Sequence, residues 1–133
     1  MQSVVLDTDV ASLMQKRRLP DPMRRVLERY EWCVTFVTLG ELAKWGELHN
    51  WGIRRWTQLA DWVGAVTILN ADGDVTYRWG QLAAAAQRRG RQRPANDMWI
   101  AACCLATDLP LATLNTKDFI DFAEHHGLTL LQS

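Results

Sequence analysis

Cysteine is scarce in this chain: there are three in 133 residues. An odd count excludes a closed disulfide framework and points to reduced, buried thiols. Cys103 and Cys104 are adjacent and diverge on a helix, and Cys33 lies alone in a strand-like run. Neither a Cys-x-x-Cys nor a His-x-x-x-His spacing occurs, which argues against a zinc site. His125 and His126 also diverge, and they read as the cationic end of a C-terminal helix. No sign of charge dominates, since 15 Lys and Arg balance 15 Asp and Glu. That excludes the global basic field that by itself drives non-specific nucleic-acid binding, but it leaves local patches open. Long hydrophobic runs are missing too. The most apolar stretch, Met98 to Thr107, is about half of a membrane span, and Met1-Gln2-Ser3-Val4 does not open a signal peptide. The expectation is a cytoplasmic protein with no membrane role.

What is present is an ordinary globular balance, 48% hydrophobic and 23% charged, without internal repeat, linker or low-complexity segment. We expect one domain over residues 1–133. Five short apolar runs rich in branched residues suit strands buried on both faces: Val4–Leu6, Cys33–Val37, Val66–Leu69, Leu111–Leu114 and Leu128–Leu131. Helical signals lie between them. Asp21-Pro22 reads as a cap and first turn. Thr38-x-x-Glu41 fits a capping box before Leu42, Trp45 and Leu48. Ile53, Trp56, Leu59, Ala60 and Val63 form a stripe, as do Val75, Trp79, Leu82, Ala83 and Ala86, the latter stopped by Gly90. Pro94 precedes a helix from Asp97 to Ala106, and Asp118 to His125 is a last helix ended by Gly127. This alternation predicts an α/β fold, with a mostly parallel central sheet of about five strands and helices on both faces.

In such a sheet the chemistry lies beyond the carboxyl ends of the strands. Asp7, Thr8 and Asp9 follow the first strand, Thr38 and Glu41 the second, and Asn115, Thr116 and Asp118 the fourth. Asn96 and Asp97 open the helix before that strand. Glu41 shares a helical face with Trp45 and Leu48, and Asp97 shares one with Ile100, Ala101, Cys104 and Leu105. A carboxylate heading a buried stripe needs compensation. Capping explains each acid taken singly, and Asp9 reads equally as a cap. Several acids aimed at one crevice repel one another unless a cation sits between them, and hard oxygens without His or Cys suit Mg²⁺ or Mn²⁺.

Four segments resemble the PIN-domain ribonucleases, and within them the VapC toxins of toxin–antitoxin pairs. They are Val4-Val5-Leu6-Asp7-Thr8-Asp9, Thr38-Leu39-Gly40-Glu41-Leu42, Pro94-Ala95-Asn96-Asp97-Met98-Trp99-Ile100-Ala101-Ala102 and Leu111-Ala112-Thr113-Leu114-Asn115-Thr116-Lys117-Asp118-Phe119. Each motif is weak alone; the four in this order over nearly the whole chain are specific. The resemblance implies an endoribonuclease dependent on Mg²⁺ or Mn²⁺, with its first, second and third acids at Asp7, Glu41 and Asp97. The fourth polar position falls on Asn115, where many relatives carry Asp, with Asp118 as the nearby acid. Asp7 and Asp97 would be direct metal ligands. Glu41 would bind through water or orient the attacking water. Thr8, Asp9, Asn115 and Thr116 would hold phosphate or second-shell water. The resemblance also implies a homodimer and a small antitoxin of VapB type that neutralises it from a groove near the acids.

Basic residues cluster at Lys16-Arg17-Arg18, Arg24-Arg25, Arg54-Arg55 and in the run that holds Arg89, Arg91 and Arg93. The last run directly precedes the Asp97 helix. Its three arginines are candidates to carry RNA phosphates, and a plain solvated loop is the other reading. Seven tryptophans are many for this length. Trp56 reads as core, and Trp51 and Trp62 are candidate partner contacts. Two other functions remain open. One is a phosphoacceptor signalling domain using Asp7, Asp9, Asp72 and Lys117, which leaves Glu41 and Asp97 without a role. The other is an inactive RNA-binding module of PIN type.

Overall fold

The apolar runs build one parallel sheet, as expected, and the helices cover both of its faces. The computed structural model describes residues 1–131. In chain order the elements are β1 (Ser3–Leu6), α1 (Thr8–Gln15), α2 (Asp21–Leu27), β2 (Glu31–Thr35), α3 (Phe36–Leu48), α4 (Ile53–Gly64), β3 (Thr67–Leu69), α5 (Gly73–Arg88), α6 (Ala95–Thr107), β4 (Leu111–Ala112) and α7 (Thr116–His126). The strands lie in the order β3-β2-β1-β4, and every pairing is parallel. Among the described residues no helix is long and apolar enough to cross a membrane.

Alternation along β1 divides the core. Val4 and Leu6 face a cluster with Val10, Met23, Leu27, Leu42 and Leu59 from α1 to α4. Val5 faces the opposite cluster, with Val75, Leu82, Ile100, Cys104, Phe119 and Phe122 from α5, α6 and α7. A strand buried on both faces must be apolar throughout, which is why the run carries no alternation of polarity.

Four strands form where about five were expected. The run Leu128–Leu131 lies along β4 but contributes an isolated bridge, Leu111 to Leu130. It is held by Leu111 N to Thr129 O at 2.9 Å and Leu131 N to Leu111 O at 2.8 Å. β4 is only two residues long, so it offers its neighbour one point of attachment.

Other boundaries move for local reasons. The second run was expected to stay extended to Val37, but the chain turns helical at Phe36. Thr35 is the N-cap, and its Oγ1 accepts from Thr38 N at 3.3 Å. The Thr38–Glu41 capping box therefore does not form, because Thr38 is already inside the helix. Asp21 likewise sits within α2 and Pro20 is its N-cap. Trp45, Leu48 and Ile53, expected on buried stripes, are exposed. The buried face of α3 is instead Thr38, Leu42 and Gly46. Gly90 does stop α5: at φ +67° it lets Arg91 N reach Ala86 O at 2.9 Å and its own N reach Gln87 O at 3.0 Å.

Candidate active site

Four segments far apart in sequence converge where β1 and β2 end. Asp7 caps α1 directly after β1. Its Oδ1 accepts from Thr8 N at 2.8 Å, and its Oδ2 accepts from Thr113 Oγ1 at 2.8 Å. Thr113 directly follows β4, and its hydroxyl also accepts from Asn115 N at 3.0 Å. Thr8 Oγ1 donates to Glu41 Oε1 at 2.7 Å and lies 3.0 Å from Thr38 Oγ1. Asp9 accepts from Val10 N at 2.7 Å and from Asn115 Nδ2 at 2.8 Å. Asp97 lies in the first turn of α6, behind Pro94, which supplies no side-chain cap.

Asp7, Asp9, Glu41, Asp97, Asn115 and Asp118 all line one cleft of about 990 Å³. The capping explanation for Glu41 falls with the helix start at Phe36, since Glu41 is in the second turn of α3. Burial, followed by the neighbouring charge of Asp9, pushes the Asp7 carboxyl up to about 7; hydrogen bonds from Thr113 and Thr8 oppose this, and Asp97 adds to it. Burial also pushes Asp97 up to about 6, with Asp118 and Glu41 adding to the rise and Arg93 opposing it. The acids therefore feel one another electrostatically across the cleft.

Among the described residues no three His, Cys, Asp or Glu side chains close on one point as a finished cage for a metal ion. The donor set nonetheless suits one kind of cation. It consists of carboxylates, without cysteine, and His49, the histidine lining the cleft, is stacked on Trp45. A hard ion of the Mg²⁺ type takes one or two protein carboxylates and completes its shell with water and phosphate oxygens. Asp7 and Asp97, the two most strongly raised acids, are the residues that fit such an ion.

The other sequence candidates divide. Thr8, Asp9 and Asn115 belong to the cleft, whereas Thr116 is exposed and outside its lining. Thr113, which the sequence reading assigned only to a strand, makes the contact with Asp7; its signal was a hydroxyl inside an apolar run. Arg89 and Arg93 are not free loop cations. Arg89 Nη2 lies 2.7 Å from Asp121 Oδ2, and Arg93 Nη2 lies 3.8 Å from Asp121 Oδ1. Arg91 is exposed. Trp62 packs against the α1–α4 cluster, and Trp51 both packs there and lines the cleft. Asp72 caps α5, accepting from Val75 N at 2.9 Å, and Lys117 is outside the cleft lining.

Comparison with known proteins follows this geometry. A sequence profile described as the PIN domain matches residues 4–131. Ribonuclease VapC2 of Haemophilus influenzae is 26% identical over 120 residues, covering 90% of this chain and 91% of that protein. In fold the chain is similar to VapBC2 from Rickettsia felis, solved bound to a DNA fragment from its promoter, with TM-score 0.82, 19% identity and 98% of both chains covered. It is also similar to VapBC-5 of Mycobacterium tuberculosis, a toxin–antitoxin family member, with TM-score 0.69, 25% identity and 100% of both chains covered.

Proposed function

This chain belongs to the PIN-domain family, and from that premise we propose that it is a divalent-metal-dependent endoribonuclease, the toxin of a toxin–antitoxin pair. The observation that carries the reading is the single cleft in which Asp7, Glu41, Asp97 and Asp118 meet, with Asp7 raised to about 7 and Asp97 to about 6. So much unpaired carboxylate in one place is costly unless a cation joins it. The substrate is RNA and the cofactor Mg²⁺ or Mn²⁺. The likeness to VapC2 and to the toxin–antitoxin assemblies supports a small antitoxin of VapB type as partner, and we take the toxin to be a cytoplasmic homodimer, as the family resemblance implies.

The ion, when bound, lowers the pKa of its water toward neutrality and offsets charge on the scissile phosphate. Asp7 and Asp97 hold it. Thr113 and the backbone N–H of Thr8 fix the orientation of the Asp7 carboxylate, and Thr8 Oγ1 fixes that of Glu41. Glu41 orients the attacking water and receives its proton, a role suited to a carboxylate kept in one rotamer by a 2.7 Å hydrogen bond. Asp118 supplies the fourth acid, because the Asn115 amide is engaged with Asp9. The phosphoacceptor reading gains no support: Asp72 is committed to capping α5.

The test is RNA hydrolysis with Mn²⁺ by the purified wild type and by Asp97→Asn. The expected loss is at least about 100-fold with the fold intact. A soluble, folded Asp97→Asn variant with full activity would remove Asp97 from the site.

A further inference from the structure

With Arg89 and Arg93 tied to Asp121, the strand needs another set of cations to pass an acidic cleft. The carboxylates on the cleft floor repel phosphodiesters. Lys16 and Arg55 line the same cleft, and beside them stand Trp45, His49 and Trp51. Trp45 is 54% exposed, a large value for a ring of its size. His49 stacks on it with centroids 4.7 Å apart and planes 4° apart, which holds the ring in one orientation. Trp51 meets Trp56 edge-on at 5.3 Å, and the Arg55 guanidinium lies 4.3 Å from the centre of the Trp51 ring. Gly46 makes this nest possible: a Cβ there would collide with the Trp56 ring and come within 2.9 Å of Trp51.

We propose that Trp45, with Trp51 and Arg55 beside it, is a stacking shelf for an unpaired nucleobase of the RNA next to the bond that is cut. The proposal rests on the nuclease reading and deepens it by naming the side chains of this chain that would hold a base beside the cleft acids. Stacking on aromatic and guanidinium planes is how unpaired bases are held without reading their sequence. Duplex RNA offers no free base face. A ring already fixed by His49 loses little freedom when a base arrives. The cations on this flank match the phosphates that accompany such a base, whereas an apolar peptide segment would not require them.

The experiment is equilibrium binding in EDTA, which separates binding from cleavage. The probes are a fluorescent single-stranded RNA octamer, the same octamer annealed to its complement, and an octamer-length abasic ribose-phosphate strand. Wild type should bind the octamer about tenfold more tightly than the abasic strand or the duplex. Trp45→Leu should abolish that preference, and Trp45→Phe should keep most of it. Arg55→Gln should weaken octamer and abasic strand alike and flatten the salt dependence. Tyr77→Leu, an exposed aromatic on α5 away from the cleft, should change none of these. Equal binding of octamer and abasic strand by wild type overturns the shelf, as does a preference that survives Trp45→Leu. Unaltered octamer binding by Trp45→Leu together with loss of self-association in sedimentation also overturns it and assigns the ring to a protein interface. Octamer preference without Mn²⁺-dependent cleavage would sink the nuclease reading and leave the shelf standing.

Discussion

Two aspartates of this chain are buried, one at the end of β1 and one on α7, and they are treated in opposite ways. Asp7 is 7% exposed and Asp121 is 3% exposed. Asp121, on α7, is met by Arg89 at 2.7 Å, by Arg93 at 3.8 Å and by His125 at 3.6 Å. Among the described residues Asp7 has hydroxyl and amide donors but no ion-pair partner, and the charges that raise it are those of Asp9 and Asp97. A buried carboxylate surrounded by cations is a fastener: it ties the loop before α6 to α7. A buried carboxylate surrounded by other carboxylates is stabilised by a cation. On the proposed reading, that difference is what separates a structural acid from a functional one.

Exchanging the charge at each position gives the largest contrast. Asp7→Asn should reduce Mn²⁺-dependent RNA cleavage by at least about 100-fold, while the melting temperature in EDTA stays level or rises, because like-charge repulsion is relieved. A fall in melting temperature for this variant would mean that Asp7 is a fastener as well.

Asp121→Asn should act mainly on stability. Two guanidinium groups lose their partner, and breaking such a pair costs about 2–4 kcal/mol once the partial exposure of Arg89 is allowed for. That lowers the melting temperature by on the order of 10 °C. Thermal melts measured side by side decide it. An unchanged melting temperature would reduce the Asp121 cluster to a surface network.

The same contrast explains what was legible in the sequence. Asp7 ends a strand and Asp97 heads a helix, so topology alone sends them to one edge of the sheet, and Glu41 follows from the second turn of α3. Asp121 lies between Phe119 and Phe122 on α7, and its arginine partner Arg89 is 32 residues away, a pairing no local pattern carries. Thr113 was hidden because a threonine inside an apolar run reads as strand. The inner strands were readable because burial on both faces demands continuous apolar runs, whereas β3, expected to be buried on both faces, lies at the sheet edge and is only half-buried. Helix starts were less so: Thr35 and Thr38 are both plausible caps, and packing of the α3 face against the sheet selects Thr35. The run at 128–131 has strand composition, but β4 is too short to pair with it fully. Trp45 looked like core because its spacing from Leu42 is helical, yet it faces the cleft.

A smaller effect separates the two aspartates by pH. The folded-state pKa of Asp7, about 7, lies above its unfolded value near 3.8. Its contribution to stability is therefore fully present below about pH 4 and is lost as pH rises through 7. In EDTA the wild type should lose several degrees of melting temperature between pH 5 and pH 7.5 relative to Asp7→Asn, whose side chain does not titrate. The comparison is with Asp7→Asn alone, because Asp121 contacts His125 and its charge acts on His126, so Asp121→Asn alters the slope by itself. Parallel pH profiles for wild type and Asp7→Asn would show that the carboxylate is not held protonated by its surroundings.

The finest discrimination comes from metal and mutation together. An ion bound only by the folded protein stabilises it by RT ln(1 + [L]/Kd), about 2.7 kcal/mol at a hundredfold excess over Kd. For a domain of this size that is a rise on the order of 5 °C or more. Neutralising Asp97 relieves part of the same repulsion, since its carboxyl is raised first by burial and then by Asp118 and Glu41. Asp97→Asn should therefore start higher than wild type in EDTA and gain less from excess Mn²⁺. The two effects act on one cluster and should not add. Asp121→Asn supplies the control from outside the cleft lining: it should start lower and still gain most of the Mn²⁺ increment. Melts of the three proteins with EDTA and with excess Mn²⁺ test this. Equal increments for wild type and Asp97→Asn would return Asp97 to a helix-terminal role. A reduced increment for Asp121→Asn would mean that the fastened loop also sets the geometry of the metal site.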